Sequence, residues 1–115
     1  MNLRKLASAV LLAFTRCDLT AASRLLAEDV VIYGTDRDEY WNKRTSFIEA
    51  LDGMRHLELS ATWQEPVMAG SDWVAGVALY QSRGGAPTPV RITMVFSSGQ
   101  LVHGHFSVEM APGLD

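Results

Sequence analysis

Two histidines near the end of the chain, His103 and His105, have the spacing that most directly suggests chemistry. Alternate residues of a β-strand project from the same face, so both rings could bind one metal ion. A metal site needs further ligands, and in this sequence only Glu109 or His56 offers one. We therefore favour hydrogen-bonded polar residues at a subunit interface, and we predict no metal and no cofactor.

Acidic residues cluster in the polar segment 34–44, which also carries Arg37. They are Asp36, Asp38 and Glu39. A carboxylate enclosed in an apolar pocket has a raised pKa and can abstract a proton from a substrate. The mixture of charges in this segment favours a solvated loop instead. Catalysis by one of these three acids is the alternative.

Arg91 lies midway along an apolar segment, where an arginine is rarely buried without a partner. If its side chain points inward, it either pairs with an acid or presents its N–H groups to the carboxylate of a ligand. A structural ion pair is the favoured interpretation, and an anion-binding site stays open beside it.

Composition limits the class of protein. The chain has 115 residues, of which 48% are hydrophobic and 20% charged, which is typical of one globular domain. Ten basic and thirteen acidic residues give a net charge of -3, so we expect no nucleic-acid partner. The one cysteine, Cys17, excludes an intramolecular disulfide and is expected to be a structural thiol. Since no apolar run reaches the roughly 18–20 residues of a membrane span, no membrane partner is expected either.

The N-terminal segment, residues 2–16, has basic residues followed by an apolar stretch, as signal peptides do. However, Phe14-Thr15-Arg16 is not a small-residue cleavage site. The apolar residues also recur at the spacing of one helix face: Leu3, Leu6, Ala7, Val10 and Phe14. We therefore predict a folded first helix and a cytoplasmic location.

Further elements follow from periodicity and turn residues. Two more helices are predicted, Leu19–Ala27 with Asp18 as N-cap, and Thr45–Met54 with Thr45 as its cap. The remaining apolar segments are typical of strands: Val30–Tyr33, His56–Met68 interrupted by Pro66, Trp73–Ser82, Val90–Phe96 and Leu101–Met110. This order of elements predicts an α+β fold with one strongly curved antiparallel sheet.

Two segments carry a resemblance to a known family. One is LLAEDVVIYGTD, residues 25–36, followed by Glu39-Tyr40-Trp41, and the other is VHGHFSV, residues 102–108. Together they resemble the SnoaL-like branch of the nuclear transport factor 2-like superfamily. The resemblance implies a single SnoaL-like domain over residues 1–115. It also implies the superfamily's cone, in which three N-terminal helices pack on a curved, mostly antiparallel sheet.

The superfamily's concave sheet face commonly encloses a pocket. By similarity to kinase association domains with a related ending, Phe106, Thr93, Arg91 and Tyr80 point into this pocket. With Trp41, they make up the predicted ligand-binding residues. In the superfamily's ketosteroid isomerases, the catalytic Asp and Tyr match Gly34 and Val10 of this chain, so that isomerase chemistry is not expected.

The convex face of such a sheet commonly packs on a second subunit. We place on this face an apolar row that needs a cover, namely Val90, Ile92, Met94 and Phe96 with Leu101, His103 and His105 beside it. A homodimer is therefore expected, which Met94→Lys should split into monomers.

The leading function is binding of a small, mainly apolar ligand, with a ligand carboxylate for Arg91 as an option. The alternatives are a small cyclase, isomerase or hydrolase that uses a loop carboxylate, and a non-catalytic dimerisation module. Whether the protein is an enzyme, and which ligand it takes, stay open because one fold hosts many functions.

Overall fold

The structure is a computed structural model that describes residues 2–36 and 38–108. The fold begins with two capped helices. Helix α1 is Leu3–Thr15, and the side chain of Asn2 caps its first turn. Helix α2 is Leu19–Leu25, and Asp18 Oδ1 accepts a hydrogen bond from the Ala21 N–H at 3.1 Å. The predicted N-cap of the second helix is thus confirmed.

The third helix, α3, is Arg44–Gly53, one residue longer at its start than predicted. Lys43 occupies the cap position without a side-chain hydrogen bond, so the prediction that Thr45 caps this helix is wrong. Helix α2 also ends earlier than predicted, because the backbone of Leu26 is already extended and pairs with Leu101 in the sheet.

The strands form one open, mixed sheet. Its order is β2-β1-β6-β5-β4-β3, in which β1 and β6 run parallel and the other neighbours run antiparallel. Within the described residues, the fold is therefore α+β, with six strands and three α-helices. The strands are β1 Leu26–Tyr33, β2 Tyr40–Trp41, β3 Ser60–Ala69, β4 Trp73–Gln81, β5 Thr88–Ser97 and β6 Gln100–Val108.

Some strand boundaries differ from the sequence prediction. Strand β1 begins at Leu26 rather than Val30, and β2 lies inside the segment expected to be a loop. His56 belongs to a short 3₁₀ turn, Arg55–Leu57, and not to a strand. The last strand was expected to reach Met110, which lies outside the described residues.

The sheet has a covered face, on which the helices pack, and an open face. In β5, Val90, Ile92, Met94 and Phe96 are buried with residues of α1 and α3, whereas Arg91 is exposed and Thr93 partly exposed. The expectation that the apolar row forms the outer face is therefore wrong. Strand alternation puts these four side chains on one face, and burial of that face under the helices removes them from water.

A one-residue bulge in β6 shifts the alternation of side chains. Val95 pairs with His103 and the next residue, Phe96, pairs with Leu101, which leaves Val102 without a partner across the ladder. An extra residue reverses which face each later side chain joins. Leu101 is consequently buried on the covered face, and its predicted place beside the two histidines on the outer face is wrong.

The core lies between the covered face and the helices. Its aromatic centre is Phe14 of α1, whose ring centroid is 4.8 Å from Phe47 and 6.1 Å from Phe106. Cys17 is buried nearby, and its thiol donates to the Leu51 carbonyl at 3.3 Å, as a structural thiol would. Among the helices of residues 2–36 and 38–108, none is long and apolar enough to cross a membrane.

Candidate functional site

A pocket of about 360 Å³ opens between α1, α3 and one end of the covered face. Its size is in the range of small-molecule sites. Most of its lining is apolar, and the lining residues outside the segment 34–39 are Phe14, Thr15, Ile32, Trp41, Phe47, Leu51, Met54, Leu57, Leu59, Tyr80, Thr88, Val90, Phe106 and Val108.

Aromatic rings from two helices and two strands meet in this pocket. The helical periodicity of α1 turns Phe14 toward the sheet, and α3 brings Phe47 against it. The Trp41 ring of β2 meets Phe47 edge-on, with centroids 5.2 Å apart. Strand β6 supplies Phe106 from the covered face. The arrangement offers flat apolar surfaces to a ligand, as aromatic lining generally does.

The segment 34–39 turns back on itself, and its residues Gly34, Thr35, Asp36 and Glu39 form one rim of the pocket. The Gly34 N–H donates to the Glu39 carbonyl at 2.7 Å, which closes the turn. Glu39 Oε1 accepts from the Asp36 N–H at 2.9 Å and from the Thr35 hydroxyl at 3.2 Å. A Cβ at Gly34 would lie only 2.6 Å from Glu39 Cβ, so a glycine is required here. Glu39 is half-buried and Asp36 is exposed, and both line the pocket.

Tyr80 places a hydroxyl in the pocket. Tyr80 stands two residues after the buried Ala78 on β4, so strand alternation places both side chains on the covered face. Within residues 2–36 and 38–108 this hydroxyl has no hydrogen-bond partner, yet it is not sealed from solvent. Burial raises the pKa of Tyr80 well above the ordinary tyrosine value. The side chain therefore stays neutral and able to donate a hydrogen bond.

The structure brings together Trp41, Tyr80 and Phe106 of the predicted ligand-binding residues. It places Arg91 and Thr93 elsewhere, on the open face, opposite Val77 and Ala75 of β4. The expectation that these two side chains point into the pocket is wrong. They alternate with Val90, Ile92 and Met94, which the helices cover, so strand geometry sends them to the other side.

Several pocket residues were not singled out from the sequence. Phe14 was assigned only to the apolar face of the first helix, and Val90 was assigned to the outer face of the sheet. The 34–39 turn was favoured as a solvated loop, whereas Asp36 and Glu39 reach the pocket and Asp38 does not. The short turn hydrogen bonds that fold Glu39 back over Gly34 have no periodic signal in the sequence.

The histidine pair lies on the open face, as expected. The ring centroids of His103 and His105 each lie 5.7 Å from the ring centroid of Tyr33. The Tyr33 centroid in turn lies 4.9 Å from that of Tyr40. In the part of the chain that the structure describes, no three His, Cys, Asp or Glu side chains gather as metal ligands. Glu109, considered above as a further ligand, lies outside that part.

Comparison with solved structures identifies the fold. A candidate ketosteroid isomerase from Kribbella flavida matches with a TM-score of 0.81 at 16% identity, covering 94% of this chain and 78% of its own. The chain has the nuclear transport factor 2-like fold. An NTF2-like protein from Cytophaga hutchinsonii matches with a TM-score of 0.76 at 11% identity, covering 95% and 91% of the two chains. The predicted resemblance is thus confirmed at the level of the fold.

IdmH of Streptomyces antibioticus, a candidate polyketide cyclase, also shares the NTF2-like fold. Its TM-score is 0.74 at 16% identity, with 95% of this chain and 93% of IdmH covered. No protein-family model and no curated protein matches the chain. At these identities the likeness concerns the fold, so the pocket's own residues must carry any argument about function.

Proposed function

We propose that this NTF2-like protein binds a small, mainly apolar molecule in the pocket beside Tyr80. The observation that carries the proposal is the Tyr80 hydroxyl, which no described residue engages, inside an aromatic pocket of about 360 Å³. The solved neighbours, a candidate isomerase and a candidate cyclase among them, support a small-molecule role. The proposal includes a single domain over residues 1–115, a sheet that curves around the pocket, and a cytoplasmic location.

The energetics of such a ligand have two parts. Transfer of apolar ligand surface from water contributes about 25 cal/mol per Å². A ligand oxygen that accepts a hydrogen bond from Tyr80 adds specificity, because a ligand without an acceptor leaves the buried donor unpaired at a cost of about 1–3 kcal/mol. The expected ligand is therefore a flat apolar molecule with a carbonyl, ether or hydroxyl oxygen.

The test uses two probes of similar shape, naphthyl methyl ketone and isopropylnaphthalene, titrated against the protein by calorimetry. We expect the ketone to bind more tightly than the hydrocarbon. Tyr80→Phe should reduce the ratio of the two affinities about tenfold. Tyr33→Phe on the open face is the matched control and should change neither affinity. No binding by either probe, or a preference that survives in Tyr80→Phe, would contradict the proposal.

An enzyme that uses Glu39 as a base is the second candidate. The observation that favours it is the position of Glu39 at the pocket, with Oε1 held by two hydrogen bonds and Oε2 without one from any described residue. Such an acid should accelerate exchange of the methyl protons of naphthyl methyl ketone in D₂O, detectable by NMR, and Glu39→Gln should abolish the acceleration. A wild-type rate equal to that of buffer leaves the binding function without catalysis.

We also propose a homodimer, now through corrected residues of the open face. That face carries apolar side chains with unburied surface, including Met68 at 61% and Trp73 at 36% exposure, next to Val77 and Val95. A second copy with the same strip is the simplest cover for it. Sedimentation should show a dimer, and Val95→Lys should give folded monomers, whereas Ser8→Lys on exposed α1 surface should not. A wild-type monomer at micromolar concentration would refute the dimer.

A further inference from the structure

Building on the proposed binding function, we propose that the pocket discriminates by charge and prefers an apolar amine. The ligand's ammonium group would sit at the 34–39 turn, against the carboxylates of Asp36 and Glu39. Its hydrocarbon body would fill the aromatic pocket. This preference is opposite to the carboxylate-bearing ligand that the sequence suggested.

The charges that line the pocket carry this inference. Among the described residues around the pocket, Asp36 and Glu39 are charged and negative, and no lysine, arginine or histidine joins them. The ion pairs seen in the described residues lie elsewhere, between Arg55 and Asp52 and between Arg83 and Glu58. Among the described lining residues, a ligand anion at this rim would meet two like charges and no cation.

The hydrogen bonds of the turn leave acceptor capacity for a cation. Glu39 Oε1 is engaged by the Thr35 hydroxyl and the Asp36 N–H, which fix the orientation of the carboxylate. In residues 2–36 and 38–108, neither Glu39 Oε2 nor the Asp36 carboxylate accepts a hydrogen bond. An ammonium group supplies three donors, so it suits two carboxylates with spare acceptor sites.

The acidic rim and the apolar interior belong to one cavity. Trp41 follows Glu39 closely in the chain and also lines the pocket, and the faces of indole rings attract cations. The Tyr80 hydroxyl opens into the same space and offers a polar contact that no described residue uses. A molecule with an apolar body and a basic group would satisfy both regions at once.

Three probes with the same hydrocarbon body test the charge preference: naphthylmethylamine, naphthylmethanol and naphthoate. Their affinities are measured by calorimetry at neutral pH in low salt. We expect the amine to bind about five- to tenfold more tightly than the alcohol, and naphthoate more weakly than either. Added salt should reduce the advantage of the amine, because ions screen partly exposed charges.

The variants separate charge from shape. Glu39→Gln keeps an oxygen that can accept from Thr35 and Asp36, so the turn should persist while the amine's advantage over the alcohol falls severalfold. Asp38→Asn is the matched control, since Asp38 lies in the same turn but does not line the pocket. It should leave the order of the three probes unchanged.

Each outcome is decisive. If the alcohol binds but the amine binds no better, or if naphthoate binds best, the charge preference is refuted and the apolar binding function stands. If the amine's advantage persists in Glu39→Gln, the proposed place of the ammonium group is wrong. If no probe binds, the proposed function fails and the inference fails with it.

Discussion

The covered and open faces of strand β5 are built from neighbouring residues of the same segment, yet their side chains differ sharply in exposure to solvent. Ile92 and Met94 have 0% exposure under the helices, whereas Arg91, one residue away, is exposed. The difference shows that position across the sheet, and not position along the chain, decides whether a residue can reach the pocket.

The two faces also differ in how they present polar groups. The covered face is apolar along most of its length and becomes partly polar at one end, where Tyr80 and Thr88 line the pocket. The open face carries polar groups on several strands, among them Gln64 of β3, Arg91 of β5, and His103 and His105 of β6, which pack around Tyr33. The pocket therefore forms where the helices stop filling the covered face, which makes it a property of packing rather than of any one strand.

The largest expected effect is that of a charge placed on the covered face. Met94→Lys should lower the free energy of unfolding by more than about 4 kcal/mol, because it buries an unpaired ammonium group among apolar side chains. Val95→Lys, one residue along, should stay folded. Circular dichroism and urea denaturation measure both. A folded, monomeric Met94→Lys variant would show instead that Met94 lies on the outer face, as the sequence suggested.

A smaller effect is expected from truncation at the same two faces. Ile92→Ala should cost about 2–5 kcal/mol of stability, since it leaves a cavity in the core. Thr93→Ala, at the partly exposed neighbouring position, should cost less than about 1 kcal/mol. Chemical denaturation of the two variants gives the comparison directly, and equal losses would show that the two faces are not distinct.

The buried tyrosine of the covered face should make stability depend on pH. Because burial raises the pKa of Tyr80, the folded state holds this proton more tightly than the unfolded chain. Above about pH 10 unfolding therefore releases a proton, and stability should fall with pH by up to about 1.4 kcal/mol per pH unit. This loss should be absent in Tyr80→Phe and retained in Tyr40→Phe, whose ring is exposed on β2. Matching pH profiles for wild type and Tyr80→Phe would contradict the burial argument.

The smallest effect is expected where the sequence predicted ligand contacts on what proved to be the open face. Arg91→Gln and Thr93→Val should each leave the affinity for naphthyl methyl ketone within about twofold of wild type, because neither side chain lines the pocket. Calorimetric titration checks this, with Tyr80→Phe as the responsive reference. A tenfold loss in either variant would mean that the ligand binds on the open face instead.

The candidate site shows how far local patterns reach. Trp41, Tyr80 and Phe106 were predicted to line the pocket and do so. The family resemblance oriented Tyr80 and Phe106 correctly but turned the side chains of β5 to the wrong face. Glu39 was recognised as an acid of interest but was favoured as a solvated residue. Its place at the pocket depends on the Gly34–Glu39 backbone pair and on a turn that carries it back toward the sheet. Such contacts depend on loop geometry, for which residue types alone are a weak guide.

The sequence by itself determined the three helices and five of the six described strands, in their order along the chain, because apolar periodicity and caps such as Asp18 act over a few neighbouring residues. It also determined which residues of β5 share a face. Tertiary structure alone decided which of the two faces the helices cover, since an alternation of period two is identical when viewed from either side. It also decided which face each side chain of β6 joins, since the unpaired Val102 moves Leu101 to the covered face. The sequence does not show this bulge because a bulge is defined by the pairing of two strands and not by the residues of one.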